Sequence, residues 1–312
     1  MLARPMLCIT GYHNLSKGIM MKKLVLASTL SAVLTAPAIV CAQGAPAAAP
    51  ASPHTFTGNI GLFSDYRFRG ISQTYRQPAI QGGFDYSHVS GVYAGTWASN
   101  VSGNLYANGA GMEWDMYGGY KFEPIKDLTM DVGVLYYYYP GAAFYNATLG
   151  KSGNKYDNTE LYVAGTYGWF TAKYSYAVSD YFGTKTATFG GTCGITSSGV
   201  AATSGCIGAN PGNSKGSSYL DLAANFEVFD KTTLGLHVGH TTVKNYNQLS
   251  YTDYKLSLSR DFGWATLGAA YITTDAKQQY YRYGPAGLVA GTSTENKDPS
   301  RGALVLSISK TF

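Results

Sequence analysis

Beyond its first 42 residues, this chain of 312 residues has no long apolar run, although hydrophobic residues make up 45% of it. A membrane-spanning helix needs about 20 consecutive apolar residues. The sequence therefore does not favour a helical membrane protein, and its apolar residues must follow another pattern.

Outside residues 1–42, the chain also lacks a marked excess of basic over acidic residues. Its formal charge of +5 includes Arg4, Lys17, Lys22 and Lys23, which are four of the 23 basic residues. Residues 1–42 contain these four and none of the 18 acidic residues, so the charge without this segment is +1. The composition gives no argument for a nucleic-acid partner.

Motifs of catalytic and cofactor-binding sites are also missing. There is no H-x-x-x-H metal pair and no phosphate-binding glycine loop. A hydrolase would need His237 beside Asp221 or Asp253 and a serine nucleophile. We expect no enzyme activity, no cofactor, and no catalytic or metal-ligating residue.

The N-terminus has the layout of a targeting segment. From Met21, the sequence MKKLVLASTLSAVLTAPAIVCAQ gives two lysines, a short apolar run and a small-residue site ending at Ala42. It predicts a signal peptide over residues 21–42, preceded by an upstream extension over residues 1–20. The alternative is a transmembrane anchor, which the short run and Pro37 disfavour.

Residues 43–54 are an Ala/Pro-rich tether, and residues 55–312 are predicted to form one unit. Of the four cysteines, only Cys193 and Cys206 lie after the signal peptide. A pair in an exported protein predicts one disulfide, with two free thiols as the alternative. We interpret the bond as a staple for the long stretch 181–217, or else as part of an outer gate.

From Thr55 onward the hydrophobic period is two, which is typical of strands. Near Tyr254, for example, YTDYKLSLS alternates apolar and polar residues. About twelve such segments occur, most of them near the 9 to 11 residues that a tilted strand needs to cross a membrane. They lie near 56–69, 78–89, 91–101, 111–122, 129–139, 159–168, 170–180, 218–228, 233–243, 251–261, 264–274 and 302–312.

The connections between these segments alternate in length. Every second link is a short turn, such as EPIKD or FDKT, and the others are mostly longer. This predicts an all-β fold, a transmembrane antiparallel up-and-down barrel of about twelve strands with both termini at the short-turn end.

Aromatic residues cluster at both ends of the predicted strands, as interfacial girdles do. Phe122, Trp169, Phe170, Phe229, Phe262 and Trp264 stand beside short turns, and Tyr136 to Tyr139 stand at the other end. The chain closes with ALVLSISKTF, a form similar to the C-terminal assembly signal of outer-membrane barrels, with Phe312 as the final residue. Lys310 interrupts its apolar face.

Charges are predicted on the inner face of the barrel. We interpret SDYRFRG as a continuation of the first strand, with Asp65, Arg67 and Arg69 facing the lumen or its mouth and Tyr66 and Phe68 facing outward. Together with Arg76, these three charged residues are candidates for a constriction. Candidate wall residues are Asp85, Glu113, Asp115, Lys121, Asp131, Glu160, Lys173, Asp221, Glu227, His237, Asp253 and Lys255.

Residues 55–122, with SDYRFRGIS and the later EWDMYGGYKF, resemble the TorF family of porins. The resemblance implies an exported outer-membrane barrel of a Gram-negative bacterium. It names no solute, and the stretch 181–217 is not part of it.

The functional expectation is a passive channel for small polar solutes or ions. Acidic residues outnumber lysines on the predicted wall, which favours cations. Outer-membrane lipid and the barrel-assembly machinery are the expected partners, with periplasmic termini and extracellular long loops. Two alternatives stay open: the charges pair into a closed lumen, or the barrel is a structural or adhesive surface protein.

Overall fold

The computed structural model describes residues 52–103, 111–146, 150–151, 153–185, 188, 212–281 and 297–312. The predicted signal peptide, most of the tether and both Cys193 and Cys206 lie outside these ranges. Those predictions therefore stay predictions.

Strands make up almost all of the regular structure of the described chain, and three short helices lie in its long loops. The helices are Tyr181–Gly183, Asn247–Leu249 and α1 (Gln278–Tyr281). None of the described helices is long and apolar enough to cross a membrane. The strands are β1 (His54–Phe63), β2 (Arg67–Phe68), β3 (Ile71–Ser72), β4 (Ala79–His88), β5 (Val92–Asn100), β6 (Met112–Ile125), β7 (Leu128–Tyr138), β8 (Tyr145–Asn146), β9 (Gly150–Lys151), β10 (Asn158–Tyr167), β11 (Phe170–Ala177), β12 (Ser218–Phe229), β13 (Thr232–Thr242), β14 (Tyr251–Asp261), β15 (Thr266–Thr274) and β16 (Ala303–Thr311).

Twelve of these strands close into one antiparallel barrel, in which each strand pairs with its neighbours in sequence and β1 pairs with β16. The predicted fold is confirmed. The remaining strands form two small hairpins, β2–β3 and β8–β9. Five short turns and both described chain ends lie at one end of the barrel, which we call the short-turn end. The long connections lie at the opposite, long-loop end.

The barrel is apolar outside and polar inside. On β14, Tyr254, Leu256 and Leu258 are 46%, 52% and 49% exposed, whereas the alternate residue Asp253 is 2% exposed. The same alternation runs along the other barrel strands, because successive side chains point to opposite faces. A closed barrel leaves no unpaired edge, which is the condition for strands to lie in lipid.

The first strand ends earlier than predicted. β1 stops at Phe63, and the chain then turns into the barrel as a segment that we call the inner hairpin, residues 64–76. Ser64 makes the last pairing with β16, since its amide donates to Leu306 O and its Oγ accepts from Leu306 N, both at 2.9 Å. The strand interpretation of SDYRFRG is therefore wrong.

The reversal of the inner hairpin depends on left-handed backbone at Arg69 (φ 46°) and Gly70 (φ 81°). It buries both faces of the segment. Tyr66 and Phe68 point into the barrel and not toward lipid, because they pack against Trp97 and Tyr137 on the inner wall.

The tyrosine run at the end of β7 is divided between the two faces. Tyr136 and Tyr138 stack on each other and are partly exposed, while Tyr137 and Tyr139 are 3% and 2% exposed. Only half of the run can therefore belong to an exterior girdle, because period-two alternation sends the other half into the lumen.

Candidate functional site

The inner hairpin crosses the lumen at the long-loop end. The Tyr66 hydroxyl donates to Glu113 Oε1 on β6 at 2.8 Å, and Arg69 binds Glu160 on β10. On the other side, a Cβ added at Gly70 would contact Thr274 Cγ2 and lie 2.8 Å from Asp253 Cβ. These strands belong to different sides of the barrel, so the hairpin spans its width.

Asp65 and Arg67 form an ion pair that holds the hairpin together. Arg67 Nε lies 2.7 Å from Asp65 Oδ2, and the two side chains are 1% and 5% exposed. Asp65 Oδ1 also accepts from Ser72 Oγ at 2.6 Å and from Thr74 Oγ1 at 3.1 Å. A carboxylate with several donors organises a turn more strongly than a neutral acceptor does.

The same arginine ties the hairpin to the chain before β16. Arg67 Nη1 donates to the carbonyl oxygens of Gly70, Pro299 and Arg301, at 3.0, 3.3 and 2.8 Å. The Ser72 amide also donates to Pro299 O at 3.0 Å. Asp65 and Arg67 thus form a buried brace at the long-loop end of the barrel, and their role at a pore mouth stays a prediction.

Arg69 lies in a pocket of the barrel wall that we call the cation cage, formed by Glu160, Tyr181 and Tyr219. Its Nη2 lies 2.6 Å from Glu160 Oε2, and its Nη1 donates to the Tyr181 hydroxyl at 3.0 Å. The guanidinium carbon lies 4.2 Å from the centre of the Tyr219 ring and 5.7 Å from that of Tyr181. Carboxylate and aromatic faces together are the surroundings that a guanidinium prefers.

Burial of Arg69 acts against its charge, but the neighbouring Glu160 carboxylate, Tyr181 and Tyr137 outweigh this effect. The pKa of Arg69 therefore lies well above its ordinary value. Glu160 has two further donors on the wall, Asn158 Nδ2 at 3.1 Å and the Tyr137 hydroxyl at 3.5 Å. The cage thus pairs the Arg69 guanidinium with the carboxyl group of Glu160.

Arg76 does not join these pairs. It is half-buried with a left-handed backbone (φ 62°), and its amide donates to Ser72 Oγ at 2.7 Å. Its guanidinium has no hydrogen-bond or ion-pair partner within the described ranges.

The wall from β4 to β11 carries tyrosines that hold its charged groups. Tyr117 donates to Asp85 Oδ1 and Tyr93 to Asp131 Oδ1, both at 2.6 Å, and the hydroxyls of Tyr93 and Tyr162 are in contact. The ammonium groups of Lys121 and Lys173 lie 4.9 Å and 3.9 Å from the centres of the Tyr93 and Tyr162 rings.

His237 bridges two carboxylates on the wall. Its Nδ1 lies 3.0 Å from Asp221 Oδ1, and its Nε2 lies 2.8 Å from Asp253 Oδ1. The Tyr219 hydroxyl donates to Asp253 Oδ2 at 3.0 Å. Both ring nitrogens are therefore engaged, and Lys255 lies opposite His237 on β14.

The predicted wall residues differ in burial with their height in the barrel. Glu113, Asp115, Glu160 and Asp253, near the hairpin, are at most 3% exposed. Nearer the short-turn end the wall is half-buried, apart from Asp131 beneath Tyr93. The half-buried residues are Asp85, Lys121, Lys173, Asp221, His237 and Lys255. The interior is packed at the level of the hairpin and accessible to water below it.

The opposite wall carries small side chains. Gly61 on β1, Gly268 and Ala270 on β15 and Ser307 on β16 face the lumen, as do Ser257 and Ser259 on β14. We call this surface the small-residue arc. Tyrosines and charged side chains lie mostly on the other side of the lumen.

Glu227 lies at the short-turn rim of the wall: it keeps the inward register of Asp221 on β12 and pairs with Thr233. It is exposed at the β12–β13 turn, and its Oε1 accepts from the Lys231 amide at 3.2 Å. A register shift between Glu227 and Phe229 ends the regular ladder there.

The terminal residue lies on the exterior of the seam between β1 and β16. The amides of Phe312 and Gly58 donate to each other's carbonyl oxygen at 2.9 and 2.8 Å, and a Cβ at Gly58 would lie 2.6 Å from the Phe312 ring. Lys310 points outward, and its Nζ reaches Gly263 O. The role of Phe312 as an assembly signal stays a prediction.

Several functional residues were missed from the sequence. Tyr181 and Tyr219 of the cage, and Tyr66 and Phe68 of the hairpin, lie among 27 tyrosines and 13 phenylalanines that look alike. The sequence gives one indication: Tyr219 is two residues before Asp221 on a predicted strand, so both side chains face the lumen.

A motif typical of serine hydrolases lies in the loop before β12. Residues 212–216 read G-N-S-K-G and match the G-x-S-x-G pattern of hydrolases. Ser214 is fully buried, and its Oγ donates to Thr184 O at 2.5 Å and accepts from the Tyr181 amide at 2.8 Å. It pins the loop beside the cage. The part of the chain that the structure describes holds no cluster of three or more His, Cys, Asp or Glu suited to a metal ion.

Residues 47–312 match the model of a bacterial family, described as a bacterial protein of unknown function (Gcw_chp). The chain belongs to this family. None of the curated proteins matches this Gcw_chp chain. The TorF family is not confirmed by this match, and that resemblance stays a prediction.

Solved structures with a similar course of the chain include outer-membrane channels. The NanC porin is 12% identical, with a TM-score of 0.46, covering 82% of this chain and 98% of its own. The KdgM porin is 6% identical (TM-score 0.44, 83% and 99% covered), and an outer membrane channel from Pseudomonas putida F1 is 11% identical (0.39, 86% and 99%). At TM-scores below 0.5, nothing about the solute of this Gcw_chp protein follows from them.

Proposed function

We propose that this protein is an outer-membrane channel for small polar solutes or ions, with a preference for cations and a mouth narrowed by the inner hairpin. The observation that carries the proposal is the closed barrel with an apolar exterior and a charged interior that is half-accessible to water below the hairpin.

The exterior supports a membrane location. Its exposed residues are mostly Leu, Val, Ile and aromatic side chains, and Trp169, Phe229, Phe262 and Trp264 are exposed beside the short turns. Amphipathic rings at one level are the usual mark of a lipid headgroup region. The signal-peptide prediction and the TorF resemblance agree with an outer membrane, with periplasmic termini, extracellular long loops and the barrel-assembly machinery as partner.

The charge of the lumen supports a cation preference. Seven predicted acidic wall residues face inward, against three lysines and His237. The inner hairpin adds one acid, Asp65, and three arginines, Arg67, Arg69 and Arg76, so carboxylates still outnumber lysines and arginines. Side-chain charge in a pore sets which ions enter. The acids are Asp85, Glu113, Asp115, Asp131, Glu160, Asp221 and Asp253.

The second candidate is a closed structural or adhesive surface barrel. The nearly complete burial of Asp65, Arg67 and Ser72 at the level of the hairpin favours it. In that case the water-accessible part of the lumen between the hairpin and the short-turn end would be closed at the long-loop end.

A non-catalytic role is supported by the state of the two residues that a hydrolase would use. Both nitrogens of His237 contact carboxylates, and the hydroxyl of Ser214 is committed to backbone groups. In this arrangement His237 cannot take a proton from a nucleophile, and the Ser214 hydroxyl is not free to act as one.

Single-channel recording of the detergent-purified protein in a planar bilayer tests the proposal. We expect stepwise currents. Under a KCl gradient, the reversal potential should have the sign of a channel that is more permeable to K⁺ than to Cl⁻. Arg67→Gln with Arg69→Gln should shift the reversal potential further toward cations, because two positive charges leave the mouth, while heat-modifiable migration on gels stays unchanged. Silence from the folded wild type and from the double variant alike would favour the closed barrel.

A further inference from the structure

The cation cage belongs to the barrel, and its occupant belongs to the inner hairpin. Glu160 lies on β10, Tyr219 on β12, and Tyr181 in the loop between β11 and β12. Arg69 enters from the opposite side of the lumen, on the segment that follows β1. The contact therefore resembles a binding site with a ligand delivered by the same chain.

The cage has the groups that select an organic cation. One carboxylate oxygen lies 2.6 Å from the guanidinium, a phenol hydroxyl accepts at 3.0 Å, and a ring centre lies 4.2 Å away. A carboxylate with aromatic faces favours a guanidinium or ammonium group over a strongly hydrated inorganic ion, because the rings replace little of the latter's hydration.

Removal of Arg69 leaves Glu160 without an ion-pair partner among the described residues. Glu160 is 2% exposed, and without Arg69 its described donors would be the neutral Asn158 and Tyr137. A buried carboxylate without a counter-charge is unfavourable. Departure of Arg69 is therefore coupled to the arrival of another positive group.

The backbone that delivers Arg69 can release it. β2 and β3 have two residues each, so the hairpin ladder is minimal. Arg69 itself has φ 46°, a conformation that costs a non-glycine residue energy and persists only when contacts hold it. The contacts of its side chain with the cage supply this hold.

We propose that the cation cage is a binding site for solutes that carry a guanidinium or primary ammonium group, with Arg69 as a tethered competitor. When such a solute takes the cage, Arg69 leaves it, the tip of the inner hairpin moves aside while the brace of Asp65 and Arg67 stays in place, and the channel opens. This inference rests on the proposed channel function and names its solute class.

Binding is tested without any current, by isothermal titration calorimetry of detergent-purified protein with methylguanidinium. Arg69→Gln removes the arginine from the cage. The methylguanidinium concentration that half-saturates this variant should be at least tenfold lower than the one that half-saturates the wild type. Glu160→Gln should abolish binding. Urea, the neutral molecule of similar shape, should bind to none of them, and Arg260→Gln, an arginine on the exterior, should behave as the wild type does.

Gating is tested in the planar bilayer at constant ionic strength. Methylguanidinium should raise the open probability of the wild type at least tenfold over the same concentration of Na⁺, and Arg69→Gln should be open without it. Should Glu160→Gln fail to fold, Tyr219→Leu keeps both charges, removes the aromatic face and should weaken the response.

The two proposals fail in different ways. Equal binding by the wild type and Arg69→Gln, or binding by Glu160→Gln, overturns the cage as a cation site even if the channel conducts. Tight binding by Arg69→Gln with silence from every folded variant retains the cage and overturns the channel.

Discussion

At the scale of single residues, Gly70 shows most directly why the hairpin has its shape. It combines a left-handed φ of 81° with a close approach to β14 and β15, where Asp253 and Thr274 leave no room for a Cβ. Glycine meets both demands because it lacks the Cβ that each of them excludes.

Gly70→Ala should therefore destabilise the protein by about 2 to 4 kcal/mol, from backbone strain plus a steric clash. Gly141→Ala is the matched control, since Gly141 has φ 74° but nothing within 4 Å of an added Cβ. It should lose only about 1 kcal/mol. Urea unfolding in lipid vesicles, followed by tryptophan fluorescence, measures both. Equal losses would show that contact with β14 and β15 contributes nothing.

The hydroxyl group of Tyr93 is a second single-residue contribution to the stability of the protein. It donates to Asp131 and contacts the hydroxyl of Tyr162. Tyr93→Phe should lower the free energy of unfolding by about 1 to 2 kcal/mol, because Asp131 is 6% exposed and loses its donor. Tyr120→Phe, on the exterior, should be near neutral. The same urea titration decides, and a neutral Tyr93→Phe would mean that water replaces the hydroxyl.

At the scale of elements, the barrel strands were predictable and the inner hairpin was not. Strands such as β14 and β12 follow directly from alternation, since a barrel wall with lipid on one side and polar groups on the other imposes period two. The segment SDYRFRG keeps the same alternation after the strand has ended. Its true course depends on Glu113 and Glu160, which are 47 and 91 residues distant along the chain from Tyr66 and Arg69.

The sequence predicted which side chains face the lumen better than it predicted what those side chains contact. Asp65, Arg67 and Arg69 lie at the long-loop end of the lumen. The predicted wall residues face inward below or beside them, and Glu227 is exposed at the short-turn rim. Pairing could not be predicted, because alternation gives the face of a side chain and not its partner on another strand. The aromatic half of the cage was missed for the same reason.

The hairpin depends on Asp65, which accepts from Arg67, Ser72 and Thr74. Asp65→Ala should open it locally. We expect hydrogen exchange at the amides of Ser72 and Gln73, which donate to Pro299 O and Tyr66 O, to become at least about tenfold faster, a change of about 1.4 kcal/mol. Asp127→Asn, in an exposed short turn, is the control. Unchanged exchange in Asp65→Ala would mean that the wall contacts alone hold the hairpin.

At the scale of the whole molecule, the closure of the barrel is uneven. β1 pairs with β4 over ten residue pairs but with β16 over five, from Asn59–Thr311 to Phe63–Ser307. The early departure of β1 into the lumen shortens this seam, and Ser64 is its last contact. The even strand count and the position of the termini followed from loop lengths, but the weakness of the seam did not.

We therefore expect the seam to open first. Amide exchange at residues 59–63 and 307–311 should be faster than in the long β12–β13 ladder, since local opening breaks fewer hydrogen bonds there. Mass spectrometry of exchanged protein in vesicles measures this. Uniform protection across all strands would show that the Gly58–Phe312 hydrogen bonds compensate for the short ladder.

The small-residue arc has a consequence for how such a chain can diversify. Most of the arc comes from β14, β15 and β16, consecutive strands near the C-terminus, whereas the ion pairs and tyrosines come mostly from strands before them. The calibre of the interior and its charge are thus encoded in largely separate stretches of sequence. A serine-to-leucine exchange at Ser257 or Ser307 would fill part of the interior without disturbing any ion pair, so the two properties can be altered independently.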